Sequence, residues 1–158
     1  MQTKLNKFLT LFTVGGSLYF IIEFLFKTFI SGGMIHWSMF LLGGLCFVLI
    51  GEINEVIPWE MSIIKQGAIG AAIVTSLEFV FGVILNLVLK LGIWDYSNLP
   101  FNILGQVCLP FSFAWFGLAL IAIFLDDYLR WKWFNEEIPH YHLKDKVLPL
   151  KQKNRGEP

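Results

Sequence analysis

The chain of 158 residues is 56% hydrophobic and 16% aromatic with only 15% charged positions, and its mean hydropathy is +0.64. Such a composition excludes an ordinary soluble domain and points to a membrane protein, with the lipid bilayer as its first partner. The 12 basic and 12 acidic residues cancel, and 13 of them crowd into positions 126–158, so no broad basic surface is left for nucleic acid.

A hydrocarbon core about 30 Å thick needs about 20 helical residues, and four apolar stretches are of that order. The expected fold class is therefore an all-α membrane protein with four transmembrane helices, at about 8–30, 35–53, 67–89 and 107–126. Residues 1–130 are expected to form the transmembrane domain and 131–158 a cytoplasmic tail.

The first span follows Lys4 and Lys7, a pattern shared with secretory signal peptides. Its apolar run is too long for one and lacks an Ala-x-Ala-like end, so a retained signal anchor is expected. Glu23 and Lys27 interrupt it four residues apart, in the favourable acid-to-base order on one helix face. Glu23 reads either as half of that ion pair or as part of a polar site with Ser17 and Tyr19.

The second span carries Gly43, Gly44 and Gly51, small residues that let helices approach closely in lipid. Glu52, Asn54 and Glu55 at its end read as a solvated helix terminus. The following 54–66 loop, with Pro58, Trp59 and Glu60, is the candidate docking segment for a separate subunit.

The third span holds further small residues, Gly67, Gly70, Ala71 and Ala72, and then Glu78 at its centre. An acidic side chain there costs about 2.5–3.5 kcal/mol on insertion scales, so it persists only where it is paired, protonated, or facing water or protein. With Thr75 and Ser76 beside it, Gly82 one turn on and Asn86 two turns on, Glu78 heads a polar stripe. The stripe reads equally as a substrate, ion or proton site and as a hydrogen bond to a neighbouring helix.

Between spans three and four lies Trp94-Asp95-Tyr96-Ser97, then Asn98-Leu99-Pro100-Phe101-Asn102 and Gly105-Gln106. Non-helical backbone at membrane depth survives only against protein or water. A partly re-entrant segment turned toward Glu78 is expected, with an interfacial loop anchored by Trp94 and Tyr96 as the alternative. Pro100 and Pro110 forbid one straight helix from Tyr96 to Leu125, and Pro110 suits a first helical turn.

The tail opens with Asp126-Asp127 and the rings Trp131, Trp133 and Phe134, which read as a headgroup boundary. Beyond Pro139 it reads as largely extended or disordered. Lysine and arginine resist translocation, and with both termini in the cytoplasm ten of the twelve fall inside. The other two, Lys27 and Lys90, end spans one and three, where they can snorkel. A multi-pass protein of the cell membrane with cytoplasmic termini is the expected arrangement.

Cofactors and metals are not expected. Cys46 and Cys108 lie in or beside apolar spans and imply no disulfide framework or zinc site. His140 and His142 are too few for a closed zinc site, and neither a Ser-His-Asp nor a Cys-His set is legible. No Gly-x-x-x-x-Gly-Lys-Ser/Thr phosphate loop occurs in these residues, so ATP hydrolysis would need a separate ATPase.

Leu77-Glu78-Phe79 with Gly82, Trp94-Asp95-Tyr96-Ser97, Pro100-Phe101-Asn102, Gly105-Gln106-Val107-Cys108-Leu109, Ser112 and Trp115 together resemble the signature of the bacterial ABC-transporter type IV permease family. That family is similar in turn to animal transmembrane protein 229. The resemblance extends more loosely through Gly16, Tyr19 and Glu23, and Asn54-Glu55 and Leu125-Asp126-Asp127-Tyr128 look like those of a subgroup with a similar Pro-His-Tyr tail. It implies a small polytopic membrane protein related to transport, with Glu78, Asp95 and Asn102 on motif positions, and carries no known reaction.

The expected function is a permease-like subunit for a small solute or lipid. Its candidate binding residues are Glu78, Asp95, Asn86, Asn102 and Glu23, and Trp94, Tyr96, Ser97 and Pro100 mark the loop. Four spans make a thin bundle, so transport would need a homo-oligomer or a separate ATPase or membrane subunit. The alternatives are an accessory subunit that transports nothing and a membrane-embedded enzyme using Glu78 and Asp95 as acid and base.

Overall fold

The computed structural model describes residues 4–145. Among them, four helices are long and apolar enough to cross a membrane: Lys4–Ser31, Ser38–Val56, Ile63–Val88 and Leu109–Phe134. In chain order, α1 covers Lys4–Phe26, α2 Ser38–Gly51, a single turn α3 Ile53–Val56, α4 Ile63–Gly82 and α5 Leu109–Phe134. The last turns of α1 and α4, Lys27–Ser31 and Val83–Val88, widen to π-helical spacing. Such widened turns are rare and concentrate at functional sites.

Helix α2 is the central element, with ten residues buried, among them Met39, Leu42, Cys46 and Ile50. It packs chiefly against α1, and also meets α4 and α5, which form the second close pair. The small residues set this arrangement. Aromatic rings of one helix sit over glycines of the other: Phe47 on Gly15, Phe40 on Gly16, Tyr19 on Gly43 and Phe12 on Gly44. Gly67 of α4 lies against Leu120 and Phe116 of α5, and Gly70 against Ala119. The core of Met39, Leu42, Ile50, Val74, Trp115 and Ile123 thus draws on α2, α4 and α5 together. Outward, Phe24, Phe29, Ile121 and Phe113 are exposed, the surface that suits lipid rather than water.

Several boundaries differ from the sequence reading: the first and third spans begin at Lys4 and Ile63 rather than at about 8 and 67. The fourth helix does not stop at 126 but continues to Phe134, where Asn135 takes a left-handed conformation (φ 56°) and its N–H returns to the Arg130 carbonyl. Asp126, Asp127 and Arg130 are therefore buried helix residues rather than the start of a solvated tail. Beyond the helix, 135–145 folds back as a strap: the Ile63 N–H donates to the His142 carbonyl, and the Ser62 N–H donates to Asp145. The rest of the expected extended tail, 146–158, lies outside the described residues.

Candidate functional site

Glu78 lies one turn before the end of α4, near the middle of the Ile63–Val88 span, and is only 3% exposed. The Trp115 indole N–H of α5 donates to its Oε2 at 2.7 Å, and the Tyr96 hydroxyl donates to its Oε1 at 3.0 Å. One donor thus comes from a helix and the other from the loop. The segment between α4 and α5 does turn back onto Glu78, as its acid and asparagines suggested. A stack carries Tyr96 there: its ring lies 4.7 Å from Phe111, which leans on Trp115 at 6.1 Å. Burial first, and the nearby Glu78 second, hold the Tyr96 phenol far above its ordinary pKa, so it serves as a permanent donor.

Glu78 also lines a cavity of about 110 Å³ between the helices, otherwise walled by apolar or weakly polar groups such as Tyr19, Leu42, Cys46, Trp115 and Ala119. It is the only carboxylate on that wall. A single acid in such a wall can bind one hydrogen-bond donor or cation and little else.

Asn86, two turns along the same stripe, is bonded on both sides. Its Nδ2 donates to Gln106 Oε1 at 2.8 Å and its Oδ1 accepts the Ile93 N–H at 2.7 Å. Gln106 is seated against Gly82, where a side chain would stand 2.7 Å from Gln106 Oε1. The Trp94 indole donates to the Gln106 carbonyl at 3.0 Å, so the loop is fixed to the widened end of α4 through one glutamine. Gln106 stands in the family-like motif but was not among the candidate site residues.

Asn102 staples the loop to itself. Its Nδ2 donates to the carbonyls of Ser97 (3.1 Å) and Leu99 (2.9 Å), and its Oδ1 accepts the Gly105 N–H at 3.1 Å. Gly105 has φ 70° and carries no side chain where Asp95 Oδ1 comes within 2.7 Å of its Cβ position. Asp95 is exposed, and its Oδ1 accepts the Ser97 N–H at 2.8 Å. That bond holds its carboxyl below the usual carboxylate range. Asp95 and Asn102 accordingly shape the loop from outside, while Glu78 lies within the bundle. Ser97 and Pro100 are exposed on the same loop.

Glu23 pairs with Lys27 at 3.5 Å. Lys27 is buried, and its Nζ also donates to the carbonyls of Met34 (3.1 Å) and Ile93 (3.0 Å). It therefore ties the first helix to both connecting loops at this end.

A second polar centre lies at the opposite end, near the chain termini. Arg130 is 2% exposed; its Nε donates to Asp126 Oδ2, and its Nη2 donates to Glu52 Oε1 at 3.0 Å. Glu55 and Glu136 stand 3.5 Å and 3.7 Å from its Nη1. The half-exposed Glu52 and Glu55 are thus ion-paired as well as near water. Asp127 accepts from Asn54 Nδ2 at 2.6 Å and from the Tyr141 hydroxyl at 2.8 Å. Sequence spacing offered one hint of this centre, the Asp126 to Arg130 interval of four on a helix face. Among the described residues, no group of three or more His, Cys, Asp or Glu is arranged to hold a metal ion.

In a comparison with known families, the model of the family described as "Putative ABC-transporter type IV" matches residues 9–143. No match is found among the curated proteins or among solved structures.

Proposed function

The chain belongs to the ABC-transporter type IV family and is a transporter-like membrane protein, and on that premise we propose that it is a multi-pass permease-like subunit of the cell membrane whose substrate-contact group is Glu78. The observation that carries this reading is the position of Glu78: a buried carboxylate on the wall of an otherwise apolar cavity, with one of its two donors supplied by a loop. An acid at membrane depth is costly. Opening the loop would remove Tyr96 and leave Oε1 free for a cation or a hydrogen-bonding headgroup of a small solute or lipid, while Trp115 keeps the carboxylate in place. The 94–106 loop thereby gates the site from the outer side. Placing both termini in the cytoplasm follows from the lysine and arginine distribution.

The chain contains no phosphate loop, and the cavity of about 110 Å³ is too small for a wide path. Movement of a solute therefore requires a homo-oligomer or an additional ATPase or membrane subunit, for which the 54–66 loop is the docking segment. A second reading is favoured by one observation, that both oxygens of Glu78 already accept a bond. In that reading Glu78 joins α4, α5 and the loop in an accessory subunit.

Native mass spectrometry of the gently solubilised protein and its Glu78→Gln variant separates the two. The permease reading expects a bound small molecule or lipid that the variant loses while its subunit composition and helicity stay unchanged. If the variant retains everything that wild type carries, the site reading fails. Loss of assembly together with loss of helicity identifies a packing role.

A further inference from the structure

The terminal-end centre encloses a cavity of about 350 Å³, lined by Asn54, Glu55, Trp59, Asp127, Arg130, Glu136 and Glu137. It is separate from the Glu78 cavity and shares no lining residue with it, although Asn54, Glu55 and Trp59 belong to the 54–66 docking segment. Four carboxylates line it with one guanidinium; Lys7 pairs with one of them, Glu136, and the guanidinium is itself bonded to two further acids, Asp126 and Glu52. The wall is therefore net anionic.

Acidic surroundings alone do not define a ligand; the unmatched atoms do. Asn54 is 8% exposed, and its amide nitrogen is held by Asp127, which fixes the amide orientation. The amide oxygen is buried and has no hydrogen-bond partner. Glu136 Oε2 on the same wall is buried without a hydrogen bond too, but it faces Arg130 Nη1, a donor that also lacks one, at 3.7 Å. A buried acceptor left unmatched is destabilising, so the Asn54 oxygen beside the cavity calls for a ligand that brings a donor. The remaining wall is the Trp59 ring, held by stacking on His140 at 4.7 Å and contact with Tyr141 at 5.7 Å. An indole face attracts an organic cation. A bare metal ion fits poorly, because the space far exceeds one ion and the acids do not converge as a ligand set among the described residues.

We propose that this cavity binds a small organic primary ammonium group, with its N–H donors on Asn54 Oδ1 and Glu136 Oε2 and its charge balanced by Glu55, Asp127 and Glu137. The group could be supplied by a free amine or by the ethanolamine headgroup of a lipid, since the cavity is lined by Arg130 and Glu136 at the end of α5, which also carries Trp131 and Trp133.

Isothermal titration of the solubilised full chain with ethylammonium chloride, against matched sodium chloride and magnesium chloride titrations, tests this. Saturable binding specific to ethylammonium is expected. Glu137→Gln, which removes one largely exposed carboxylate (65%), should weaken it about two- to fivefold. Asn54→Ala should weaken it about tenfold or more, and Glu137→Gln keeps the test valid if Asn54→Ala does not fold. Repeating the titration in nanodiscs identifies the source. Weaker binding in phosphatidylethanolamine than in phosphatidylcholine discs means that the headgroup competes for the site; equal binding means a free amine. Heat no greater than with sodium chloride, binding of magnesium at comparable strength, or unchanged affinity in both variants would overturn the proposal.

Discussion

At the scale of single residues, the tightest constraint lies where Gln106 meets Gly82. A Cβ on Gly82 would stand 2.7 Å from Gln106 Oε1 and 2.8 Å from Gln106 Cβ. Because Gln106 also accepts from Asn86 and Trp94, it cannot step aside without breaking the loop anchorage. Gly82→Ala should therefore cost about 1–3 kcal/mol, the usual penalty of overpacking, read as a lowered Tm in detergent. Gly117 is the control: nothing lies within 4 Å of its Cβ position, and alanine there should be neutral or slightly stabilising. Legibility in sequence divides along the same residues. Glu78 and Asn86 announce themselves because an acid and an amide within an apolar run need a reason. Trp115 and Gln106, which supply that reason, are an aromatic and an amide with no local pattern. Their roles come from contacts 37 and 20 residues away in the chain, which periodicity does not encode. Asp95 was legible as polar but not as a turn cap, because acids serve both roles.

At the scale of elements, the end of α5 shows why its boundary was misplaced. Two consecutive aspartates read as the onset of water, yet Arg130 lies one turn beyond Asp126 and lets the helix continue to Phe134. Removing one partner of a buried pair leaves an uncompensated charge, which costs about 3–5 kcal/mol. Arg130→Met should destabilise by about that amount, since Asp126 is 0% exposed. Neutralising both groups with Asp126→Asn and Arg130→Met should recover much of the loss; a double variant no more stable than the single one would show that the pair is not the cause. The strap over this end carries its own pH dependence. Asp145 is held below its usual 3.8 chiefly by Lys65 and also by the Ser62 N–H. A lowered folded value means its contribution is complete above pH 3.8 and is lost as pH falls through the lower folded value. The protection of the Ser62 and Ile63 amides, taken relative to the intrinsic exchange rate at each pH, should fall on that descent, and Asp145→Asn should show the lower protection already at neutral pH.

At the scale of the whole molecule, the bundle has an apolar belt between two differently built ends. One is closed by the hydrogen bonds of the 94–106 loop and by the buried Lys27, whose charge faces Glu23 and two carbonyls. The other gathers Lys7, Lys65 and Arg130 with their acidic partners Glu136, Asp145, Asp126, Glu52 and Glu55. With four crossings the start of α1 and the end of α5 would lie on the same side, which the proposed arrangement assigns to the cytoplasm from the basic residues. The two native cysteines make the assignment directly measurable, because Cys46 and Cys108 are 8% and 2% exposed and should give little background with a membrane-impermeant maleimide. Asn98→Cys lies exposed on the loop end and should label in intact cells. Val56→Cys, whose parent side chain is 78% exposed at the terminal end, should label only after the membrane is opened. The reverse pattern would invert the topology and put the Tyr96 gate on the cytoplasmic side. Labelling of both in intact cells would mean that the chain does not present its two ends to opposite compartments, and a gate operating across a bilayer would lose its physical basis.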